Sequence, residues 1–206
     1  MIAALLRLSG VCAMTFALVM GGLRALPYDD GGLQAALFSA ECAPPCFLGI
    51  QPGVTTRSEA LALLEAHPWV GDIETKVRYT TVSWVWNGSQ PAFLQSGRLS
   101  LDNDVVVRID LLTGANAGTT ALVFGTPRVW YFSVWSINNT RSMVTSLYFE
   151  QRAVYDNLEV MSANYCPLTF QAQWMLPTQI SMPILPDHPG YGAVRRPFLV
   201  LPESCR

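Results

Sequence analysis

Residues Ile73-Glu-Thr-Lys-Val-Arg-Tyr79 alternate without a fault. Ile73, Thr75, Val77 and Tyr79 share one face, and Glu74, Lys76 and Arg78 share the other. This period suits a half-buried strand of an antiparallel sheet, with one face on a core and one in water. Thr81 to Trp86 reads as a second strand, with Val82, Trp84 and Trp86 on one face. Asn87-Gly88 is a hairpin signal. Phe93 to Leu101 and Val105 to Leu112 give two more strands, joined by Asp102-Asn103.

A helix precedes this meander. Thr56-Arg57-Ser58-Glu59 is a capping box, in which the threonine hydroxyl and the glutamate carboxylate each accept a backbone N–H of the other residue. Pro68 ends the helix by pushing His67 out of the α region. About ten residues hold only if the leucine face packs on something, and the sheet supplies it. The order then recurs. Thr113-Gly114 and Ala117-Gly118 read as breakers, and Thr119 to Phe124 as a short helix stopped by Gly125-Thr126-Pro127. Val129 to Trp135, Met143 to Phe149, Ala153 to Met161 and Leu168 to Met175 read as strands. The expected class is α+β: short helices on an antiparallel meander sheet, in two tandem helix-plus-strands units of about 47–112 and 113–176. From Pro177 the chain is rich in proline, and residues 177–206 read as an extended tail packed on the domain.

The charge-free apolar run Leu8 to Leu23 lies between Arg7 and Arg24. Residues 1–26 therefore read as a signal peptide or an N-terminal membrane anchor. Residues 27–40, with Asp29-Asp30-Gly31-Gly32, read as a linker, and the α+β domain as 41–176. It opens on Cys42-Ala-Pro-Pro-Cys46. Without the leader and its Cys12, four cysteines remain: Cys42, Cys46, Cys166 and Cys205. An even count in an oxidising compartment points to two disulfides, of which four cysteines allow three pairings. A local 42–46 bridge and long bridges to the end of the domain both fit. The expected location is extracytoplasmic, secreted or held on the outer face of the membrane.

Gly53-Val-Thr-Thr-Arg-Ser-Glu-Ala-Leu-Ala-Leu-Leu64, Pro68, and Trp84 and Trp86 on a strand resemble small bacterial envelope proteins of the SmpA/OmlA (BamE) type. Phe124-Gly-Thr-Pro127 in the second unit matches the end of that motif, whereas Ala66-His67-Pro68 departs from it. Two such units in tandem look like the architecture of the β-lactamase inhibitor protein. The Cys-x-Pro-Pro-Cys start is also similar to uncharacterised secreted bacterial proteins. The resemblance implies a scaffold or inhibitor that acts through protein contacts.

The residues themselves exclude several functions. The net charge is −2, or −4 once Arg7 and Arg24 leave with the leader, and no basic run exists to bind nucleic acid. Lys76 is the only lysine, and His67 and His188 each lie beside a proline. Asp187-His188 with Ser181 or Ser204 lacks a nucleophile elbow. Asp102, Asp104 and Asp110 lack the glycine and the terminal glutamate of a calcium loop. The cysteine spacing and scarce histidines disfavour zinc. The expectation is thus a non-enzymatic chain with no catalytic residue, cofactor or metal, which binds an unidentified protein and meets a membrane only through an uncleaved leader. Aromatic residues exceed what one sheet face can bury, so the expected contact surface is Trp130 and Trp135, then Trp84 and Trp86. The alternative is a carrier of a small apolar ligand between sheet and helices.

Overall fold

The structure is a computed structural model that describes residues 2–25, 30–38, 42, 45–76, 80–139, 144–183 and 205. The chain forms two compact units, Met1–Asp30 and Gly31–Arg206. The first contains one helix, α1 (Ile2–Ala25), in which Val11, Met14, Phe16, Leu18 and Val19 are exposed. Among the described residues no helix is long and apolar enough to cross a membrane.

The second unit contains α2 (Leu33–Leu37), α3 (Arg57–Ala66), β1 (Val70–Lys76), β2 (Thr81–Trp86), β3 (Leu94–Asp102), β4 (Val105–Asn116) and α4 (Ala117–Phe124). These are followed by β5 (Val129–Asn139), β6 (Val144–Val154), β7 (Glu159–Tyr165), α5 (Phe170–Trp174) and β8 (Pro177–Pro183). All eight strands form one antiparallel sheet in the order β1-β2-β3-β4-β8-β7-β6-β5. The fold is therefore α+β, and it consists of two similar halves. Each half is a helix followed by a four-stranded meander, and the last strands, β4 and β8, pair to join them.

The register decides which side chains meet. One row crosses all eight strands: Ile73, Trp84, Gly97, Leu111, Ile180, Val160, Ala153 and Trp130. This row belongs to the core, which also takes in Leu33 and Leu37 of α2, Leu64 of α3, Phe47 and Ile50, with the half-buried Val123 and Phe124 of α4 packed against it. Gly97 is required there. A Cβ at this position would overlap the Trp84 indole, which lies on the glycine. A smaller cluster of Phe132, Phe149, Leu168 and Cys205 extends the core toward β5.

Local signals worked where they were complete. The capping box forms: the Thr56 N–H donates to Glu59 Oε2 at 2.9 Å, and the Glu59 N–H donates to Thr56 Oγ1 at 3.4 Å. The helix ends at Ala66, with His67 extended before Pro68. Asn103 and Asp104, at φ 47° and 68°, make the tight β3–β4 turn. The stretch after Cys46 docks on that hairpin. The Gly53 N–H donates to the Val106 carbonyl at 2.7 Å, and the Arg57 N–H to the Asp104 carbonyl at 2.8 Å.

Several expectations are corrected. Residues 33–37 are a helix within the stretch read as a linker, and Leu33 and Leu37 are fully buried. Asn87-Gly88 starts a longer loop between β2 and β3 instead of a two-residue hairpin, with Asn87 Nδ2 donating to the Pro68 carbonyl at 2.6 Å. Thr113-Gly114 continues β4, and Ala117-Gly118 begins α4. Ala153 to Met161 contains a turn, closed by the Tyr155 N–H on the Leu158 carbonyl at 2.9 Å, which separates β6 from β7. Phe170–Trp174 is a helix capped by Thr169, where a strand was expected. Pro177–Pro183 is no surface tail. It is β8, at the centre of the sheet, so the second helix-plus-strands half runs to 183 instead of 176. Val77 to Tyr79 and the prolines from 186 onward lie outside the described residues.

Candidate functional site

The four cysteines pair locally in two bridges, Cys42–Cys46 and Cys166–Cys205, with Cα separations of 5.7 and 4.9 Å. The long bridges between the two ends of the domain do not form. Cys166–Cys205 instead holds the chain end against β7, where the Leu168 N–H donates to the Cys205 carbonyl at 2.9 Å.

The structure buries one of the four tryptophans of the expected contact surface and leaves two half-buried. Trp84 is 2% exposed, and the alternation that places it with Val82 on one face turns that face toward the helices. Trp86 is half-buried, edge-on to Trp84 at 5.6 Å and to Phe47 at 6.3 Å. Trp130 is half-buried, packs on both core clusters and stacks on Phe132 at 6.4 Å. Trp135 pairs through its backbone with Tyr148, and its side chain lies outside the described residues. For Trp84, the core on the helix side supplies the cover that an account of one sheet face underestimated.

The opposite face of the sheet is polar. A second row crosses it: Glu74, Ser83, Arg98, Asp110, Ser181 and Glu159. Asp110 accepts from the Ser181 hydroxyl at 2.5 Å, from Gln179 Nε2 at 3.1 Å and from Arg108 Nε at 3.1 Å. Arg108 also donates to Glu159 at 3.0 Å. Arg152 lies 3.7 Å from Glu159 and 3.3 Å from Glu150. Glu159 is 1% exposed, so its charge is held by two guanidinium groups and not by water. Beside this network, a groove of about 410 Å³ runs over β1 to β4 and reaches Gln179 on β8. Its floor includes Ser96, Arg98 and Asp110. Two aliphatic side chains, Val85 and Leu112, stand in it at 51% and 44% exposure. Asp72 and Glu74 of β1 form its rim.

The charges in the network are fixed in pairs, which suits recognition and orientation more than proton transfer. The groups with displaced titration lie elsewhere. The Thr56 backbone N–H and hydroxyl hold the Glu59 carboxyl below its ordinary range. Partial burial lowers His67, at the end of α3. Burial pushes Tyr155 up to about 12. Among the described residues, no group of three or more His, Cys, Asp or Glu could hold a metal ion. Asp110 stands apart from Asp102, at the end of β3, and Asp104, in the turn. Its partners on β8 are about 70 residues away in sequence, which is why the spacing of the three aspartates did not reveal the network.

No protein-family model matches the chain, and comparison with curated proteins and with solved structures gave no match.

Proposed function

We propose that the chain is an exported, non-enzymatic protein-binding module, and that its contact surface is the polar face of the sheet over β1 to β4. The observation that carries this reading is the groove. Two exposed aliphatic side chains, Val85 and Leu112, stand among charges already positioned by their neighbours. An apolar anchor inside a polar frame is the anatomy of a protein contact. Asp72, Glu74 and Asp110 outnumber Arg98 there, so the matching surface carries basic or amide donors and one or two aliphatic side chains. Export rests on the arginine-flanked apolar run and on the two cystines, which persist in oxidising compartments. The resemblance to envelope scaffold proteins points the same way. The apolar-carrier reading draws no support from the grooves over β1 to β4, beside Phe38 and Phe124, and along α3, which are all open to the surface.

Capture of partners from an envelope extract tests this. Leu112→Glu and Val85→Glu are expected to lose the captured protein, while Leu122→Glu on α4 keeps it. Retention of every partner by Leu112→Glu would show the groove to be the wrong surface. Mapping the mature N-terminus tests export separately.

A further inference from the structure

The groove over β1 to β4 holds one charge that its neighbours leave unanswered. Arg98 is exposed on β3 and lines the floor. Among the described residues, no hydrogen bond or ion pair holds its guanidinium. Its register partners are Ser83 on β2 and Asp110 on β4. Asp110 is the acid that faces it, but that carboxylate is drawn toward the other side. Its Oδ1 accepts from Ser181 and Gln179 of β8 and from Arg108 of β4. The Asp110 charge is therefore compensated without Arg98. Two hydroxyls stand beside the free guanidinium: Ser83 across the ladder, and Ser96 two residues back on the same face. Among the described residues, neither hydroxyl is held by a hydrogen bond. A guanidinium flanked by hydroxyls is a donor set for a carboxylate.

The next row of the same face is apolar. Val85, Ser96 and Leu112 are register partners, so the small Ser96 lies between two exposed aliphatic side chains. Ser96 and Arg98 are two residues apart on β3, about 7 Å at ~3.4 Å per residue. Side chains i and i+2 of an extended segment have that same spacing and point the same way. We infer that the groove takes an extended segment of the partner protein with an aliphatic residue and, two positions from it, an aspartate or glutamate. The aliphatic side chain lies over Ser96, between Val85 and Leu112, and the carboxylate accepts from Arg98 and Ser83. This rests on the groove being the contact surface, and it names the group that the centre of the groove selects. The acidic rim, Asp72 and Glu74, is left for basic or amide donors on either side of that pair. Glu74 lies in the row of Arg98 but two strands away, about 10 Å by strand spacing. At that separation salt screens its repulsion of the incoming carboxylate, whereas the contact with Arg98 is direct.

The test selects peptides on the full chain, in a mild nonionic detergent that keeps the apolar α1 from associating. The probe is a phage-displayed library of random peptides with free carboxyl ends. The expected result is a shared pattern of an aliphatic residue and an acidic one two positions apart. Selection on Arg98→Glu is expected to replace the acid by lysine or arginine and to keep the aliphatic residue. Selection on Leu112→Glu is expected to lose the aliphatic residue. A synthetic peptide of the selected sequence, with an amide in place of its acid, is expected to bind the unmodified chain about tenfold more weakly. An acidic pattern that survives Arg98→Glu overturns the inference, because the peptide then binds elsewhere. Peptides that need Leu112 but carry a basic residue in place of the acid overturn it too, and they leave the groove standing as the contact surface. A pattern fixed at the free carboxyl end overturns the extended segment, because a terminal carboxylate is then what Arg98 takes. Failure to enrich any peptide overturns this inference and the groove reading together. If Arg98→Glu fails to fold, Arg98→Gln replaces it, with loss of the preference for an acid as the expected result.

Discussion

Gly97 and Trp84 show how one residue sets the shape of another. They sit opposite each other on β3 and β2, and the indole occupies the space that a side chain would take. Gly97→Ala should therefore cost about 2 kcal/mol, in the range of overpacked cores, read as a lower denaturant midpoint. Trp84→Phe in the same chain should recover part of that loss, because the pair is coupled. Tyr155 makes a prediction in pH. It is 9% exposed, and burial raises its ionisation from 10.0 to about 12. The unfolded phenol ionises at the lower value, so the folded state binds more protons between the two. This contribution is fully present below about pH 10 and is lost as pH rises through about 12. Denaturant midpoints measured across that range should fall, and Tyr155→Phe should flatten the decline.

At the scale of the element, α2 shows what composition conceals. Its five residues lie beyond Gly31 and Gly32, both in the left-handed region, and Phe38 then meets Phe124 edge-on at 5.9 Å. Leu33 and Leu37 occur one turn apart, so both enter the core from one face. Leu33→Ala and Leu37→Ala should each cost about 2–4 kcal/mol in chemical unfolding, the range for buried leucines. A true linker would tolerate both within about 0.5 kcal/mol. The short helix α5 is similar. Thr169 accepts the Ala172 N–H at 3.1 Å, and this cap was the signal that a strand reading of Leu168 to Met175 overlooked.

At the scale of the whole molecule, the sheet is joined between its two halves by the strands that end their own meanders. The β4–β8 pairing joins positions about 70 residues apart, so the sheet is complete only once β8 has joined β4. The cystines secure different spans. Cys166–Cys205 closes a loop with a sequence separation of 39, and Cys42–Cys46 one of 4. Loop-closure entropy gives about 4 kcal/mol for the first and about 2 for the second. Replacing Cys166 and Cys205 together by serine should thus lower stability more than replacing Cys42 and Cys46, compared by urea unfolding. The opposite order would mean that the short bridge holds more than its own turn.

Residues 57–66, 81–86 and 94–102 were legible in the sequence because their causes are local. A capping box, a proline stop and a period of two act over a few residues, and packing did not overrule them. The α+β class and the two-unit order followed from those patterns. Tertiary structure decided the rest. Pro177 and Pro183 made a central strand look like a tail, yet they stand only at its ends, where no interior ladder hydrogen bond is lost. Trp84 looked available for contact until the core closed over it, whereas Trp86 and Trp130 stay half-buried. The polar row from Glu74 to Glu159 exists only through register, since its members come from six strands and the β4–β8 pairing that joins its two parts is nonlocal. A sequence specifies the faces of each strand, but which face meets a helix, and which strand meets which, is decided when the halves close on each other.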